Sequence, residues 1–500
     1  MVRRVNAVYI EQELRRMRGN RLIEALPPAA DEEGVYLSLR LEPDFHPLQR
    51  EWSPSMRIQQ IYGLKHMMFP LARNVELGCL LDRIIREGYV GRAPETNRDI
   101  RSVQEIYEAQ QQGARFSQEH YEHVASQSAT LIGVTGMGKT TSVQRWLAYY
   151  PDIIDHPSLP APQIPKLFIQ TPTAGTVRAL AIAIIGAISK LLPDFRYHED
   201  YLSKVRTGDG LIYSAGRLLA FHHVGLLVVD EVHNLASTPA RCLVVMSQLT
   251  ALSNVTDVPI LYIGRQKSEA VLNCDGQMAR RASETPLPRW DRLKFEDDEP
   301  NEWMDFLRHL FRYQWVKVPL EISPAVARQM YHYSQGIIDL ALMIFRRAQI
   351  RCIQEGDEEL TQDWFQVAFE NDFTLIHQLV YALASHDEFT LKKLGEYGEI
   401  LDQIGGLLRK VENELDVPLA DPSELNRRAA TPKKAAASEQ AEARKPSISN
   451  EKPRSKRSAK AAPTGYLAAY ADAQTLGQSV IDILDERGQL YDASKATLPK

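Results

Sequence analysis

Gly133-Val134-Thr135-Gly136-Met137-Gly138-Lys139-Thr140 fits the pattern G-x-x-x-x-G-K-[ST]. The chemistry such a string supports is the holding of a polyphosphate. Its glycines let backbone N–H groups turn inward around the β-phosphate, and the lysine sets a point charge on the β/γ oxygens. The threonine hydroxyl can ligate Mg²⁺. Gly133, Gly136, Met137, Gly138, Lys139, Thr140 and Thr141 are therefore expected to hold ATP. A second string, Leu226-Leu227-Val228-Val229-Asp230-Glu231, ends an apolar run in two acids. A buried strand would carry Asp230 to the sheet's carboxyl end, where it joins Thr140 as an Mg²⁺ ligand. Glu231 would then orient and polarise the attacking water.

A hydrolytic site of this kind also needs positive charge at its transition state. Arg280 and Arg281 lie in Gln277-Met278-Ala279-Arg280-Arg281, after the next expected strand. A guanidinium from this pair, with Arg281 ahead of Arg280, is the candidate finger donated by a neighbouring subunit. A polar residue at the end of Val258–Gly264 would sense the γ-phosphate, and Arg265 or Gln266 stands there. His222, His223 and His233 cluster near the second string, but without a third ligand at defined geometry they read as structural histidines.

The elements that must position these residues alternate. Ala129–Gly133, Lys166–Gln170, Val224–Val229 and Pro259–Gly264 read as strands. Thr140–Tyr150, Thr176–Leu192, Leu211–Phe221 and Cys242–Asn254 read as helices. Uninterrupted apolar strands between helices imply an α/β fold, with a parallel sheet covered on both faces. The strand at 166–170, between the two motifs, fits the ATPase branch with an inserted strand and a glutamate base, rather than the simple kinase branch. The string DEVH resembles a helicase motif, yet residues 300–380 read as helices, without the strands a second such lobe requires.

Around this core, residues 1–53 form an arm with a short helix near 8–18, and 54–125 a helical extension. Residues 126–298 are the ATPase core, 299–380 a helical lid and 381–420 further helices. The Ala/Lys/Arg/Ser/Pro-rich stretch 421–465 cannot bury enough apolar area to order itself, and 466–500 could carry one docking helix. Residues 427–460 hold eleven Lys/Arg and three Asp/Glu, about +8, so the remainder of a chain of net charge −5 carries about −13. That excludes a chain-wide basic field. Cys79, Cys242, Cys274 and Cys352 lack metal-ligand spacing, which fits a reduced cytoplasmic setting. The N-terminus lacks the apolar stretch of a secretory signal, and no run is long enough to span a membrane.

Several strings in order across residues 20–375 resemble the TnsC family, AAA+ regulators of target selection in cut-and-paste transposons. They are IEALPP at Ile23–Pro28, FHPL at Phe45–Leu48, GYVGRAP at Gly88–Pro94, the phosphate loop, GLLVVDEVHNL at Gly225–Leu235, PILYIG at Pro259–Gly264, Arg280-Arg281, and SQGIIDL at Ser334–Leu340. The resemblance implies an AAA+ fold and an ATP- and Mg²⁺-dependent ring or filament on duplex DNA. It also implies a DNA-binding or RNA-guided target selector that recruits the assembly, and a transposase that is recruited in turn. On that implication DNA phosphates would be met by Thr171, Thr173 and Arg178 after the second strand, and by Thr238 and Arg241 after the Asp-Glu strand. Lid helices of AAA+ proteins commonly begin with a nucleotide-sensing arginine. Here Ile337-Ile338-Asp339 follows Gly336, which leaves Arg346 or Arg347 for that task. A signalling-type P-loop switch and a helicase or clamp loader are the competing readings.

Overall fold

The computed structural model describes residues 2–94, 128–197, 201, 207–237, 239–266, 268–272, 285–295, 301–387 and 389–391. The expected readings at Arg280, Arg281, Thr238 and 392–500, and part of the 54–125 extension, lie outside these residues.

The strands are β1 (Arg4–Asn6), β2 (Ala129–Ile132), β3 (Ile153–Asp155), β4 (Leu167–Gln170), β5 (Leu227–Asp230), β6 (Ile260–Gly264) and β7 (Thr285–Pro286). Five of them make one parallel sheet in the order β4-β5-β6-β2-β7. Every residue of β5 and β6 is buried. Pleating sends alternate side chains to opposite faces. Val228, Leu261 and Ile263 accordingly enter one core with the N-terminal helices and the lid. Leu227, Val229, Ile260 and Tyr262 enter a second core with the helices Val177–Leu191, Gly208–Phe221 and Pro239–Thr256. Only apolar residues satisfy a strand covered twice, and this is why these strands are uninterrupted apolar runs.

The strand order places β6 between β2 and β5. The inserted strand is therefore Ile260–Gly264 and not the expected 166–170: Leu167–Gln170 separates the motifs only in sequence and lies at the sheet edge beyond β5. This order, with the helical lid, is that of an AAA+ P-loop ATPase. Ile132 pairs with Gly264, Gln170 with Asp230, and Val229 with Tyr262. The carboxyl ends of β2, β5 and β6 therefore meet at one edge, the place where ligands bind in open parallel sheets.

The N-terminal region is built into both halves. No helix forms over residues 8–18. Of these residues Met17 alone is buried, too little apolar contact to repay helix nucleation. The chain instead enters as β1, which pairs in parallel with β3, and Arg4 bonds Asp155 at 2.6 Å. Helix Ala72–Val90 packs on the core, and Asn74 donates to Ser142 Oγ at 2.9 Å. Arg57, 1% exposed, joins Glu358 of the lid at 2.6 Å and donates to the Trp315 carbonyl at 3.0 Å. The lid contains helices Glu302–Leu310, Pro324–Ser334, Ile338–Glu355, Asp363–Asp372 and His377–Ala384. No helix among the described residues is long and apolar enough to cross a membrane.

Three buried histidines make this packing acid-sensitive. Burial lowers His222 to about 4, His223 to about 3 and His309 to about 4, from an ordinary value of 6.5. Below 6.5 the unfolded chain takes up protons that the folded chain refuses, so stability falls as the pH drops from 6.5 toward 4. Each histidine contributes a loss of roughly 1.4 kcal/mol per pH unit in that window. Urea unfolding should show a midpoint that drops steadily between pH 7 and pH 5. A flat midpoint would contradict the buried neutral state.

Candidate ATP site

The loop closing β2 is shaped by its glycines. Gly136 and Gly138 have φ of +83° and +79°, a region that side-chain-bearing residues rarely adopt. A Cβ on Gly133 would stand 2.3 Å from the Trp290 carbonyl oxygen, so only glycine allows Val134 N–H to donate to that oxygen at 2.9 Å. The Met137 side chain is buried in the core and anchors the loop. Helix Lys139–Leu147 begins immediately after, and its N-terminal N–H groups and dipole favour an anion. Thr141 is exposed in its first turn and lines the cleft.

The reacting groups converge. Lys139, 9% exposed, folds back across the loop, and its Nζ donates to the Gly133 and Val134 carbonyls at 2.8 and 2.7 Å. Thr140 Oγ1 donates to Asp230 Oδ2 at 2.9 Å. Burial pushes the Asp230 carboxyl above its ordinary range, and the Thr140 hydrogen bond opposes that shift. A buried carboxylate touching a hydroxyl beside the phosphate loop is an oxygen donor set suited to a hard divalent cation. Thr140 and Asp230 fit Mg²⁺ on this observation.

Glu231 follows with φ +57°, an uncommon conformation for a glutamate. Its N–H donates to Asp230 Oδ1 at 2.8 Å, and its Oε2 meets His233 Nε2 at 2.9 Å. The turn thus bends the chain so that both acids face one cleft. Sequence reading assigned His233 a purely structural place; here it holds the carboxylate expected to polarise water. The signal was the spacing of two residues after Glu231, which becomes contact only because of the left-handed turn. Among the described residues no group of His, Cys, Asp and Glu could hold a metal by itself.

The cleft measures about 340 Å³. Its walls bring together Gly136–Thr141, Asp230, Glu231 and Arg265. Lys65, Met67, Met68, Phe69 and Asn74 from the N-terminal extension, with Phe306, Ile338, Asp339 and Leu342 from the lid, complete it. Of the two candidates after β6, Arg265 faces the cleft. The extension and lid residues escaped sequence reading, because nothing local to them signals a site so distant along the chain. Arg346 and Arg347, expected as lid cations, are engaged elsewhere. Arg346 lies over the Tyr62 ring at 5.4 Å and Arg347 bonds Asp372 at 3.0 Å. Neither lines the cleft.

The DNA-contact candidates separate. Thr171 is 2% exposed and its hydroxyl donates to the Asp230 carbonyl at 2.6 Å, so it ties the ends of β4 and β5 together and is not placed to meet a phosphate. Thr173 and Arg178 are exposed beyond the same strand end. Arg241 falls in helix Pro239–Thr256.

Three comparisons bear on this arrangement. The structure is similar to Aeropyrum pernix ORC1 solved in complex with DNA, at 14% identity and TM-score 0.34, covering 67% of this chain and 81% of that one. It is similar to Cdc6p from Pyrobaculum aerophilum, at 15% identity and TM-score 0.33, covering 67% and 89%. It is also similar to the Thermotoga maritima RuvB Holliday junction branch migration motor, at 12% identity and TM-score 0.30, covering 68% and 95%. Strand order and register define the fold. No curated protein matches the chain. The family model of the bacterial TniB protein matches residues 116–292, a span that begins before the phosphate loop and ends two residues after Trp290. The match is to TniB and not to TnsC by name. With Lys139, Thr140, Asp230 and Glu231 converging in one AAA+ cleft, the chain is a P-loop ATPase whose core is similar to TniB.

Proposed function

We propose that the chain is an ATP-dependent regulator of DNA transposition that assembles as an oligomer on duplex target DNA. A target-selection protein, DNA-binding or RNA-guided, recruits it, and it recruits and activates the transposase. The observation that carries this reading is the TniB match over residues 116–292, which takes in the phosphate loop, Asp230-Glu231 and strands β2 to β7. The family is transposition-associated.

In this reading Thr140 and Asp230 would hold Mg²⁺, which would supply positive charge against the phosphates when bound. Lys139 binds the β/γ oxygens and the loop amides orient the chain of phosphates. Glu231, held by His233, accepts the proton of the attacking water. Arg281 or Arg280 of a neighbouring copy completes the site, so hydrolysis depends on assembly and limits its lifetime. Gly133, Gly136, Met137, Gly138 and Thr141 serve nucleotide binding. Thr173, Arg178, Thr238 and Arg241 meet the DNA backbone, and the basic segment 421–465 tethers the terminal docking segment 466–500 that meets the transposase. The site of action is the bacterial cytoplasm, at the nucleoid.

Backbone recognition has a measurable signature. With a non-hydrolysable ATP analogue, fluorescence anisotropy on unrelated duplex sequences should give similar affinities that fall linearly in log–log plots against salt, with a slope of about −0.9 per phosphate neutralised. Arg178→Ala should weaken all sequences alike and reduce the slope by about one. Nucleotide-independent binding, or none, would remove the proposal's DNA arm.

A further inference from the structure

Asn74 belongs to the N-terminal extension, yet it lines the cleft beside the phosphate loop. It is the third residue of helix Ala72–Val90 and is 7% exposed. Both ends of its amide are used. Oδ1 accepts the Leu71 N–H at 2.7 Å, and Nδ2 donates to Ser142 Oγ at 2.9 Å. Ser142, 1% exposed, in turn donates from Oγ to the Gly138 carbonyl at 2.8 Å.

The direction of this relay is forced. The Leu71 N–H needs an acceptor, so the amide oxygen faces Leu71 and the amide nitrogen faces Ser142. That nitrogen can only donate, so the Ser142 oxygen accepts there. The hydroxyl has a single proton, and it is left for Gly138.

Gly138 is where the loop becomes helix, at φ +79° and directly before helix Lys139–Leu147. Its carbonyl also takes the Ser142 N–H at 2.8 Å, so two donors hold it toward the helix body. In a trans peptide the C=O and N–H point opposite ways. The Lys139 N–H is therefore held outward at the helix start, among the amides that face an anion there. The turn that carries Asn74 is itself pinned. Arg73 donates to the Asp291 carbonyl at 2.8 Å and pairs with Glu302 of the lid.

We infer that Asn74 is a positioning residue for the nucleotide site, acting through Ser142 on the Gly138–Lys139 peptide. The extension is for this reason a working part of the site. The inference rests on the ATP-site reading of this cleft. By linkage, nucleotide fastens the extension to the core by the same factor with which the docked extension tightens nucleotide.

The test is calorimetric binding of ADP and of a non-hydrolysable ATP analogue, both with Mg²⁺, to the full chain. Asn74→Asp keeps the oxygen that accepts the Leu71 N–H but puts an acceptor where the donor stood, which draws the Ser142 proton away from Gly138. It should weaken both nucleotides about tenfold. Ser142→Ala should weaken them by a similar factor. The double variant should lose no more than Ser142→Ala alone, because the relay is already cut. If Asn74 only caps its own helix, Asn74→Asp binds as wild type. If the new carboxylate acts by charge alone, its effect persists undiminished on the Ser142→Ala background. Either result would overturn the inference while leaving the ATP site intact. Failure of the wild-type chain to bind either nucleotide would overturn both. A thermal melt of each variant identifies loss of fold. Should Asn74→Asp not fold, Ser142→Ala decides, and wild-type affinity in it overturns the inference.

Discussion

Lys139→Ala should bring ATP affinity down by about a hundredfold or more, to or below detection by calorimetry. The ammonium is the buried cation of the loop, and its two hydrogen bonds to the Gly133 and Val134 carbonyls hold it across the phosphate seat. Neither the loop amides nor the helix terminus can replace it, since they contribute partial charges where the lysine contributes a whole one. Lys139→Arg should not rescue binding, because a planar fork of five donors does not fit a seat built around a compact ammonium. The fold should survive, for the loop keeps Gly136 and Gly138 in their left-handed conformations and Met137 in the core. ATP binding by the alanine variant within a few-fold of wild type would mean that the phosphates lie elsewhere.

Glu231→Gln should separate binding from hydrolysis. The carboxylate's task is to take a proton, a contribution of typically 10²–10⁴ in rate, and an amide of the same shape cannot do it. ATP affinity should stay within a few-fold, because Lys139, Thr140 and Asp230 are untouched. The backbone turn at φ +57° should persist, since glutamine is no worse there than glutamate. His233 can still bond the amide oxygen. On DNA the variant should accumulate in its ATP-bound assembly. Steady-state phosphate release measured beside nucleotide binding decides the matter, and hydrolysis at the wild-type rate would remove Glu231 from its role.

The parts of this site that touch phosphate were legible because the chemistry leaves few choices. A backbone cradle needs glycine where φ is positive, and a doubly covered strand needs apolar residues up to the acid that ends it. The loop and Leu227–Asp230 announce themselves for these reasons. The parts set by long-range packing were not legible. β1, β3 and β7 have two or three residues each, too few to show a period, and the Arg4–Asp155 pair joins residues 151 positions apart. The charged stretch 8–18 has helical propensity but almost nothing to bury. Asn74, Lys65 and Met67–Phe69 reach the cleft only because the extension is strapped to core and lid together. The lid's facing residue also inverted the expectation drawn from resemblance: an acid, Asp339, occupies the cleft while Arg346 and Arg347 turn to Tyr62 and Asp372.

The claim that nucleotide gates assembly on DNA is most directly tested by electron microscopy of the full chain with a duplex of a few hundred base pairs. Samples would hold no nucleotide, ADP, or a non-hydrolysable ATP analogue, each with Mg²⁺. Ordered rings or filaments that need both the duplex and the ATP analogue, and that Lys139→Ala abolishes, are the predicted result. Particles that remain monomeric in all three conditions, or that assemble equally without nucleotide, would contradict it.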